Sequence, residues 1–394
     1  MENPYLQHSR ARRRPARAHA AAPSGGASSH RRITLALSGG NALGAYAAGA
    51  FESLVEADFP LDVVSGASVG AINGAIIAGN RPELRVRKLR EFWQQAASGS
   101  PFGWTPPAGP ARDFFNKAHA LQTIVMGRPG LFMPRPTGFM ALLPGAPSDI
   151  GLFDPTPIVA TLEKLIDFEL LNQAVLPLIV STVDLETGEA VHFDSREQRI
   201  GPQHLLASAA FVPGFPPVEI DGRVLGDPGM LCNLPFDPLL GTHPETDQLC
   251  FAIDLFDVRG DRPTSLDSGI ERAQDIAFAS QSWRTIDAYR REHRLRRLLA
   301  EVAAQREATQ ALDGPLAEAV RAEGRLSETE IVLLAYRPAA HEVGAKALEF
   351  SRASITERWA AGREDMARAI EKLQAKEATS RDAGYAFYDA RRTD

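Results

Sequence analysis

The chain of 394 residues carries 43 Lys and Arg against 49 Asp and Glu, which gives a formal net charge of −6. This mildly acidic balance gives no reason to expect a nucleic acid as the partner. A composition that is 44% hydrophobic and 23% charged is ample for a buried core, in one large domain with an appendage or in two domains. Two cysteines, Cys232 and Cys250, form no metal-binding or disulfide-framework spacing, which indicates a reducing, cytosolic setting.

The N-terminal segment is rich in Arg, Ala and Pro and lacks the apolar region of a signal peptide. We predict a disordered basic tail over residues 1–32. A weak electrostatic attachment to anionic lipid and a transit peptide are the alternatives. No stretch approaches the roughly 20 apolar residues that a membrane span needs. The predicted location is cytoplasmic, with peripheral attachment at the inner membrane face as the alternative.

Strand and helix patterns alternate after the tail. Short apolar runs at 33–37 and 61–66 read as buried strands, and the small-residue segments 42–57 and 69–79 read as helices. Strand, helix, strand and helix at this spacing predict a parallel sheet with helices on its faces.

Residues 99–157 interrupt this alternation with a mixture of Pro, Gly, Phe, Met and Leu that shows no clear periodicity. So long an irregular stretch is usually functional or mobile. Its apolar content favours a cap over an apolar pocket. The alternative is a surface insertion packed onto the core.

The strand pattern then resumes and gives way to a charged helical region. Asp221-Gly222 is a strong hairpin signal, because it supplies residues with positive φ for a tight turn. Helical composition begins near Asp267. Within it, the arginine-rich segment 288–297 is either a solvated helix face or a contact with an anionic membrane. The further predicted strands are 175–184, 190–193, 218–225, 248–256 and 330–338, and the last predicted helix is 354–375.

Ser68 lies in the sequence Gly-x-Ser-x-Gly, between the second strand and the second helix. The two glycines permit a sharp turn that exposes the serine hydroxyl at a helix N-terminus, where a developing anion is favoured. The motif alone is weak, and a simple tight turn is the alternative. Its strand-to-helix context favours a nucleophile.

A glycine loop follows the first strand, in Ser38-Gly39-Gly40-Asn41. Backbone N–H groups at such a helix start suit a phosphate or a tetrahedral oxyanion. A dinucleotide fingerprint fits poorly, because the spacing is not G-x-G-x-x-G and no acidic residue ends the second strand. An ordinary turn is the remaining alternative.

A serine nucleophile needs a base, and none of the nine histidines falls in a convincing position. Asp227 is better placed, since it follows the 218–225 hairpin between Gly226 and Pro228-Gly229. Taken alone, Asp-Pro-Gly is ordinary turn chemistry.

Taken together, three segments resemble the patatin-like phospholipase family. They are the glycine loop 38–46, the serine turn 66–70 and the stretch 207–235, which contains Ala-Ser-Ala-Ala, Asp227-x-Gly229 and Asn233-x-Pro235. The resemblance covers about residues 33–260, and the C-terminal part is similar to the extension of a bacterial subgroup.

The resemblance implies an α/β fold with three layers (α/β/α), a mostly parallel central sheet and a helical C-terminal extension. The expected domains are the hydrolase domain at 33–260, with the cap at 99–157, and the extension at 261–394. By position in the motifs, Ser68 is the nucleophile, Asp227 the general base, and Gly39, Gly40 and Asn41 form the oxyanion hole. No cofactor and no metal ligand set are expected, and the substrate is a phospholipid or another acyl ester.

Two positions depart from the family pattern. Asn41 replaces a usual third glycine, although Asn tolerates a left-handed conformation. Pro228 replaces the first glycine of Asp-Gly-Gly and pushes Asp227 toward an extended backbone. The alternatives to a lipid acyl hydrolase are therefore an esterase acting on other esters and a weakly active lipid-binding scaffold. The oligomeric state is not predicted.

Overall fold

The computed structural model describes residues 31–390 except for 99–104, 142, 146–148, 241–245, 309–313, 325–326 and 383. Residues 1–30 of the predicted tail lie outside the described residues. The strands are β1 (Arg32–Leu37), β2 (Val63–Ala67), β3 (Met133–Pro134), β4 (Phe153–Asp154), β5 (Leu178–Asp184), β6 (Ala190–Asp194), β7 (Val218–Ile220), β8 (Arg223–Gly226), β9 (Gln248–Asp254), β10 (Thr329–Ala335), β11 (Ser380–Asp382) and β12 (Tyr385–Asp389).

The helices alternate with these strands through most of the chain. They are α1 (Gly44–Glu56), α2 (Val69–Ala78), α3 (Pro82–Ala96), α4 (Gly109–Met126), α5 (Pro136–Met140), α6 (Pro157–Leu165), α7 (Phe168–Asn172), α8 (Pro202–Ser208), α9 (Asp237–Leu240), α10 (Leu266–Ala308), α11 (Gly314–Glu323) and α12 (Arg352–Gln374). No described helix is both long enough and apolar enough to cross a membrane.

One ten-stranded sheet, in the order β11-β12-β10-β9-β1-β2-β5-β8-β7 with β6 on β5, runs through the described residues. The central strands from β12 to β5 all pair in parallel, and the antiparallel pairs lie toward the two edges. The predicted mostly parallel sheet is confirmed. Because β2 and β9 lie on opposite sides of β1, the connections diverge there, which is where α/β sheets usually form their sites.

Alternate residues of each central strand face opposite helical layers. Leu35 and Leu37 of β1 pack into a core with α1, α2, α3 and α12. Ala36, between them, packs into a second core with α9 and α10. This two-sided burial explains why the strands read as continuous apolar runs, and it confirms the predicted fold with three layers.

Two glycines let α12 lie directly against α1. A Cβ at Gly49 would lie 2.0 Å from the carbonyl oxygen of Trp359, and a Cβ at Gly362 would lie 2.0 Å from the carbonyl oxygen of Tyr46. The contact is therefore backbone against backbone at two reciprocal points. It holds the C-terminal region against the helix that follows the glycine loop.

The structure also differs from the sequence predictions. An 18-residue helix, α4, occupies part of the stretch in which no periodicity is visible, and the strands β11 and β12 were not predicted. The predicted division at residue 260 stays a prediction. Residues beyond it supply β10, β11 and β12 to the same sheet.

We expect Gly362→Ala to destabilise the protein by about 2 kcal/mol or more, because the added methyl group forces two packed helix backbones apart. Gly269→Ala is the matched control, since this glycine lies in α10 with nothing within 4 Å of the added Cβ. The control should stabilise the protein by about 0.5–1 kcal/mol through helix propensity and chain entropy. Urea unfolding of both variants measures the difference, and equal effects would contradict the close packing of α1 and α12.

Candidate active site

The turn between β2 and α2 holds Ser68 in a strained backbone conformation. Its φ of 54° and ψ of −126° lie in a region that residues with side chains rarely adopt. The flanking glycines make this turn feasible. A Cβ at Gly66 would lie 2.5 Å from the carbonyl oxygen of Gly70, and a Cβ at Gly70 would lie 2.3 Å from the carbonyl oxygen of Leu37. Both glycines of the motif are therefore required by close backbone contacts.

A buried serine supports this strained turn from below. The Ser68 N–H donates to the Ser208 Oγ at 2.9 Å, and the Ser208 hydroxyl donates to the carbonyl oxygen of Ser181 at 2.7 Å. Ser208 is the serine of the Ala-Ser-Ala-Ala stretch and ends α8. One hydroxyl thus links the turn to the end of α8 and to β5.

Asp227 follows β8 and lies buried beside Ser68. Its backbone is extended, with φ −62° and ψ 127°, as the following Pro228 predicts. The carboxylate Oδ1 accepts a hydrogen bond from the Gly229 N–H at 2.8 Å. The Ser68 side chain lies near the carboxylate and lowers the pKa of Asp227 by hydrogen bonding. A serine and a carboxylate distant in sequence therefore lie side by side.

Burial raises the pKa of Asp227 to about 6. The hydrogen bonds from Ser68 and Gly229 act in the opposite direction and lower it. The effect of burial on the pKa is the larger one. Removing a carboxylate from water without a cation beside it destabilises the ionised form by more than two hydrogen bonds stabilise it. The resulting carboxylate is a stronger base than an exposed aspartate, and it is still largely ionised at pH 7.

The glycine loop faces the same place from the end of β1. Gly40 has a φ of 156° and Asn41 a φ of 50°, so Asn41 adopts the left-handed conformation expected of it. The Gly39 N–H donates to the carbonyl oxygen of Asn233 at 3.1 Å. Within the described part of the chain, the N–H groups of Gly40 and Asn41 have no acceptor. Of the three predicted oxyanion donors, these two remain available, whereas that of Gly39 is engaged.

Asn233 joins the glycine loop to the segment that carries Asp227. Its side-chain Nδ2 donates to the carbonyl oxygen of Gly39 at 3.2 Å, so the side chain and the backbone of Asn233 both bond to Gly39. Gln281 of α10 holds the segment from the other side. Its Oε1 accepts from the Asn233 N–H at 2.9 Å, and its Nε2 donates to the carbonyl oxygen of Gly229 at 3.0 Å.

A second residue of the C-terminal region, Arg358 of α12, also contacts the glycine loop. The fully buried guanidinium donates to the carbonyl oxygen of Ala42 at 3.3 Å and makes two hydrogen bonds to Glu342, at 2.9 and 2.7 Å. The Glu342 carboxyl is itself buried, which raises its pKa, but the charge and hydrogen bonds of Arg358 outweigh burial and lower it. A buried ion pair therefore anchors the loop that carries the free N–H groups.

All five predicted site residues, Gly39, Gly40, Asn41, Ser68 and Asp227, line one cavity of about 560 Å³. The remainder of its wall is mainly apolar. Aromatic rings from the 99–157 stretch and its neighbours pack there edge to face, for example Phe132 with Phe153 at 5.2 Å and with Phe215 at 5.3 Å. The polar residues are thus gathered in a cavity that suits an apolar chain.

No described histidine lines this cavity. His192 bonds to the Ser181 hydroxyl at 3.0 Å, and the His204 ring accepts from the Gly201 N–H at 2.9 Å, so both have structural contacts. The described residues also contain no cluster of His, Cys, Asp or Glu that could hold a metal ion. Among the described residues, the Asp227 carboxylate is the acidic side chain that lines this cavity with Ser68.

Sequence reasoning missed Gln281 and Arg358 as supports of the site. Gln281 acts on residues 48 and 52 positions away, and Arg358 reaches a carbonyl 316 positions away. No local motif signals such contacts. Ser208 and Asn233 were visible as part of the 207–235 stretch, although only the structure shows what they bond.

Fold and site together define an α/β protein with a serine–carboxylate pair at the carboxyl ends of its parallel strands. The family model described as patatin-like phospholipase matches residues 35–240, and a second model described as patatin phospholipase matches residues 276–382. The first match spans half of the chain and contains Ser68 and Asp227. The chain belongs to the patatin-like phospholipase family, as the resemblance predicted.

Curated relatives include an uncharacterized NTE family protein of Mycobacterium tuberculosis and one of Mycobacterium bovis. Each is 25% identical over 229 residues, which cover 58% of this chain and 50% of the relative. The chain thus spans about half the length of the curated relatives it matches.

Solved structures that are similar include VipD from Legionella pneumophila, with a TM-score of 0.40 and 14% identity over 88% of this chain and 67% of that one. Another is the ExoU-SpcU complex from the type III secretion system of Pseudomonas aeruginosa, with a TM-score of 0.32 and 15% identity over 87% of this chain and 51% of that one.

We expect Asp227→Asn to stabilise the protein at pH 8 by up to about 3 kcal/mol. The pKa of Asp227 lies near 6 in the folded protein and at 3.8 without the fold. The ionisation of Asp227 therefore lowers the free energy of unfolding as the pH rises from about 4 to about 6. Above pH 7 this loss is constant. The gain should be about 1.4 kcal/mol smaller at pH 5. Urea unfolding at both pH values measures it.

Asp58→Asn is the matched control, because Asp58 is exposed in the turn after α1 and the substitution removes the same charge from the surface. Its effect should be within about 0.5 kcal/mol at both pH values. A loss of stability in Asp227→Asn that is independent of pH would contradict the buried, ionising carboxylate.

Proposed function

We propose that this protein is a serine acyl hydrolase that cleaves lipid esters through an acyl-enzyme, with Ser68 as nucleophile and Asp227 as general base. The observation that carries the proposal is the position of Ser68 beside the buried Asp227 carboxylate, whose pKa it lowers by hydrogen bonding, in an apolar cavity that Gly40 and Asn41 also line. Membership of a phospholipase family supports lipid esters as the substrate class.

In the acylation step, the Ser68 Oγ attacks the ester carbonyl carbon while Asp227 takes the hydroxyl proton. The negative charge moves to the carbonyl oxygen, where the N–H groups of Gly40 and Asn41 can receive it. Collapse of this intermediate breaks the bond to the leaving alcohol, which regains the proton from Asp227. The products of this step are a free alcohol and an ester on Ser68.

In the deacylation step, Asp227 takes a proton from a water molecule that attacks the Ser68 ester. The second oxyanion forms at the same position and collapses to release the fatty acid. The proton returns from Asp227 to the Ser68 oxygen, so the dyad is regenerated.

A carboxylate is a weak base for a serine hydroxyl, and two features compensate for this. Burial brings the pKa of Asp227 to about 6, closer to the value that suits a general base at neutral pH. Each oxyanion donor is worth roughly 3–4 kcal/mol of transition-state stabilisation in a site of this kind. Asn41 supports this role, because its left-handed backbone leaves its N–H without a protein acceptor among the described residues.

Ser68→Ala and Asp227→Asn should each lower kcat/KM on ester substrates by at least about a thousandfold. A panel of phospholipids, lysophospholipids and soluble esters, run on both variants and the wild type, measures this loss and identifies the preferred ester class. Ser280→Ala on α10 is the matched serine control and should retain activity. Labelling by a fluorophosphonate probe should require Ser68. If the wild-type protein neither reacted with the probe nor hydrolysed any ester, the weakly active lipid-binding scaffold would be favoured instead.

The value of kcat/KM should rise with pH about a midpoint near 6, with one ionisation, because only the ionised Asp227 can accept the serine proton. A pH profile on a soluble ester from pH 4.5 to 8.5 tests this. If the residual activity of Asp227→Asn showed the same midpoint in its pH profile, the titrating group would be another residue. That result would contradict the role of Asp227 as base.

Acyl chain length should also matter, because each CH₂ transferred from water into the apolar cavity contributes about 0.8 kcal/mol, or about fourfold in kcat/KM. Esters of one alcohol with acyl chains from C4 to C16 should show this rise until the chain fills the cavity. A flat profile would favour an esterase for short or polar acyl groups.

A further inference from the structure

The buried side of helix α4 carries polar side chains together with Phe115 and Ala120. Arg112 is buried, and its guanidinium bonds to Asn116 at 2.9 Å, to Ser354 at 3.1 Å and to Glu357 at 2.9 Å. Asn116 in turn donates to the carbonyl oxygen of His341 at 2.8 Å. Hydrogen bonds to α12 and to its neighbouring loop therefore hold this helix in place.

The outer side of α4 exposes large apolar side chains, with the exposed Lys117 between Phe114 and Leu121. Phe114, Leu121 and Val125 are 74%, 60% and 62% exposed. Their spacing of seven and four residues places them on one side of the helix. Large apolar side chains of a surface helix normally face the interior. The exposed ones of α4 suit contact with an apolar medium.

This exposed apolar surface continues from α4 across the neighbouring segments. We call it the outer cap face, and its residues are Phe114, Leu121, Val125, Met126, Met133 and Met140. Gly127 connects the two parts, because a Cβ there would lie 2.9 Å from the Met133 Cα. Single exposed apolar side chains are ordinary, but a continuous group of this kind marks a contact surface.

The outer cap face leads directly into the cavity. Ile124, next to the exposed Val125 on α4, lines the cavity, and so does Phe139, which is itself partly exposed beside Met140. Helices α4 and α5 therefore contribute both to the cavity wall and to the outer cap face. A ligand that enters along this surface would remain in apolar contact from the exterior to Ser68.

Charge on this part of the chain points to the kind of partner. Residues 118–148 contain no Asp or Glu, and their charged side chains are Arg128 and Arg135. Arg128 is buried, and Arg135 pairs with Asp149 at 3.1 Å. The stretch itself thus offers apolar side chains without carboxylates that phosphate headgroups would repel, and at its α4 end Lys117 pairs with Asp113 and Asp267, at 3.0 and 3.4 Å.

We propose that the outer cap face docks on a phospholipid bilayer, inserting its apolar side chains among the lipid chains beside the cavity entrance. The docking itself follows from the exposed apolar side chains of α4 and from their position beside the cavity. The further step, passage of an acyl chain into the cavity, rests on the proposed function. A protein partner fits less well, because it would close the entrance that the same surface lines.

The test measures partition of the full chain onto large vesicles of phosphatidylcholine by co-sedimentation, in the Ser68→Ala background so that no lipid is consumed. The double variant Leu121→Glu with Val125→Glu should lower the partition coefficient by at least about tenfold, because two inserted side chains are lost. These residues are exposed, so the variant should unfold in urea like its parent.

The matched control is Leu295→Glu with Leu298→Glu on α10, where both side chains are also exposed, at 62% and 48%. It should bind vesicles within about twofold of its parent. Raising the salt concentration from 0.1 to 0.5 M should change the partition of the parent by less than about threefold, since apolar insertion is little screened. Loss of binding in the control, or strongly salt-sensitive binding, would assign the contact to the arginine-rich helix and overturn the proposal.

Two further measurements separate docking from catalysis. On a dissolved ester such as 4-nitrophenyl butyrate, the cap variant with Ser68 restored should keep kcat/KM within about twofold, while its hydrolysis of vesicle lipid falls with binding. If no ester is hydrolysed but vesicle binding depends on Leu121 and Val125, the docking surface stands and the proposed function fails. Vesicle binding unaffected by the cap variant, or a wild-type dimer that the variant dissociates without any vesicle binding, overturns the docking surface.

Discussion

The site depends on one constraint: the Asp227 carboxylate is buried beside a serine, and no neighbouring charge contributes to its pKa within the described residues. A cation beside it would lower the pKa and make the carboxylate a weaker proton acceptor. The geometry must therefore be held by neutral contacts. Ser208 holds the strained Ser68 backbone, the Gly229 N–H orients the carboxylate, and Asn233 ties the segment that carries Asp227 to the glycine loop.

The C-terminal region takes part in this arrangement from two directions. Gln281 holds the segment that carries Asp227, and Arg358 holds the carbonyl oxygen of Ala42 behind the free N–H groups. The charge of Arg358 is neutralised locally by Glu342, so a strong anchor is supplied to the loop without a cation at the carboxylate. The support is charged where it is remote from Ser68 and Asp227 and neutral where it touches them.

Much of the fold could be predicted from the sequence, because buried parallel strands read as continuous apolar runs and the Asp221-Gly222 turn has positive φ at both positions, 52° and 76°. The predicted site residues were found through glycines that the backbone requires. Helix α4 was missed because large apolar side chains face outward, and its interior side combines Arg112 and Asn116 with Phe115 and Ala120, which obscures the usual pattern. The engagement of the Gly39 N–H by Asn233 could not be read from local sequence, since it joins segments almost 200 residues apart.

The central position of β9 has a consequence for the integrity of the chain. Its seven residues are all buried, with β1 on one side and β10 on the other. A fragment that ended before β10 would leave a long, flat and apolar strand with unpaired N–H and C=O groups along one side. Such an edge is a template for pairing with other chains. Premature termination would therefore cost solubility through intermolecular β-sheet growth, quite apart from any effect on chemistry.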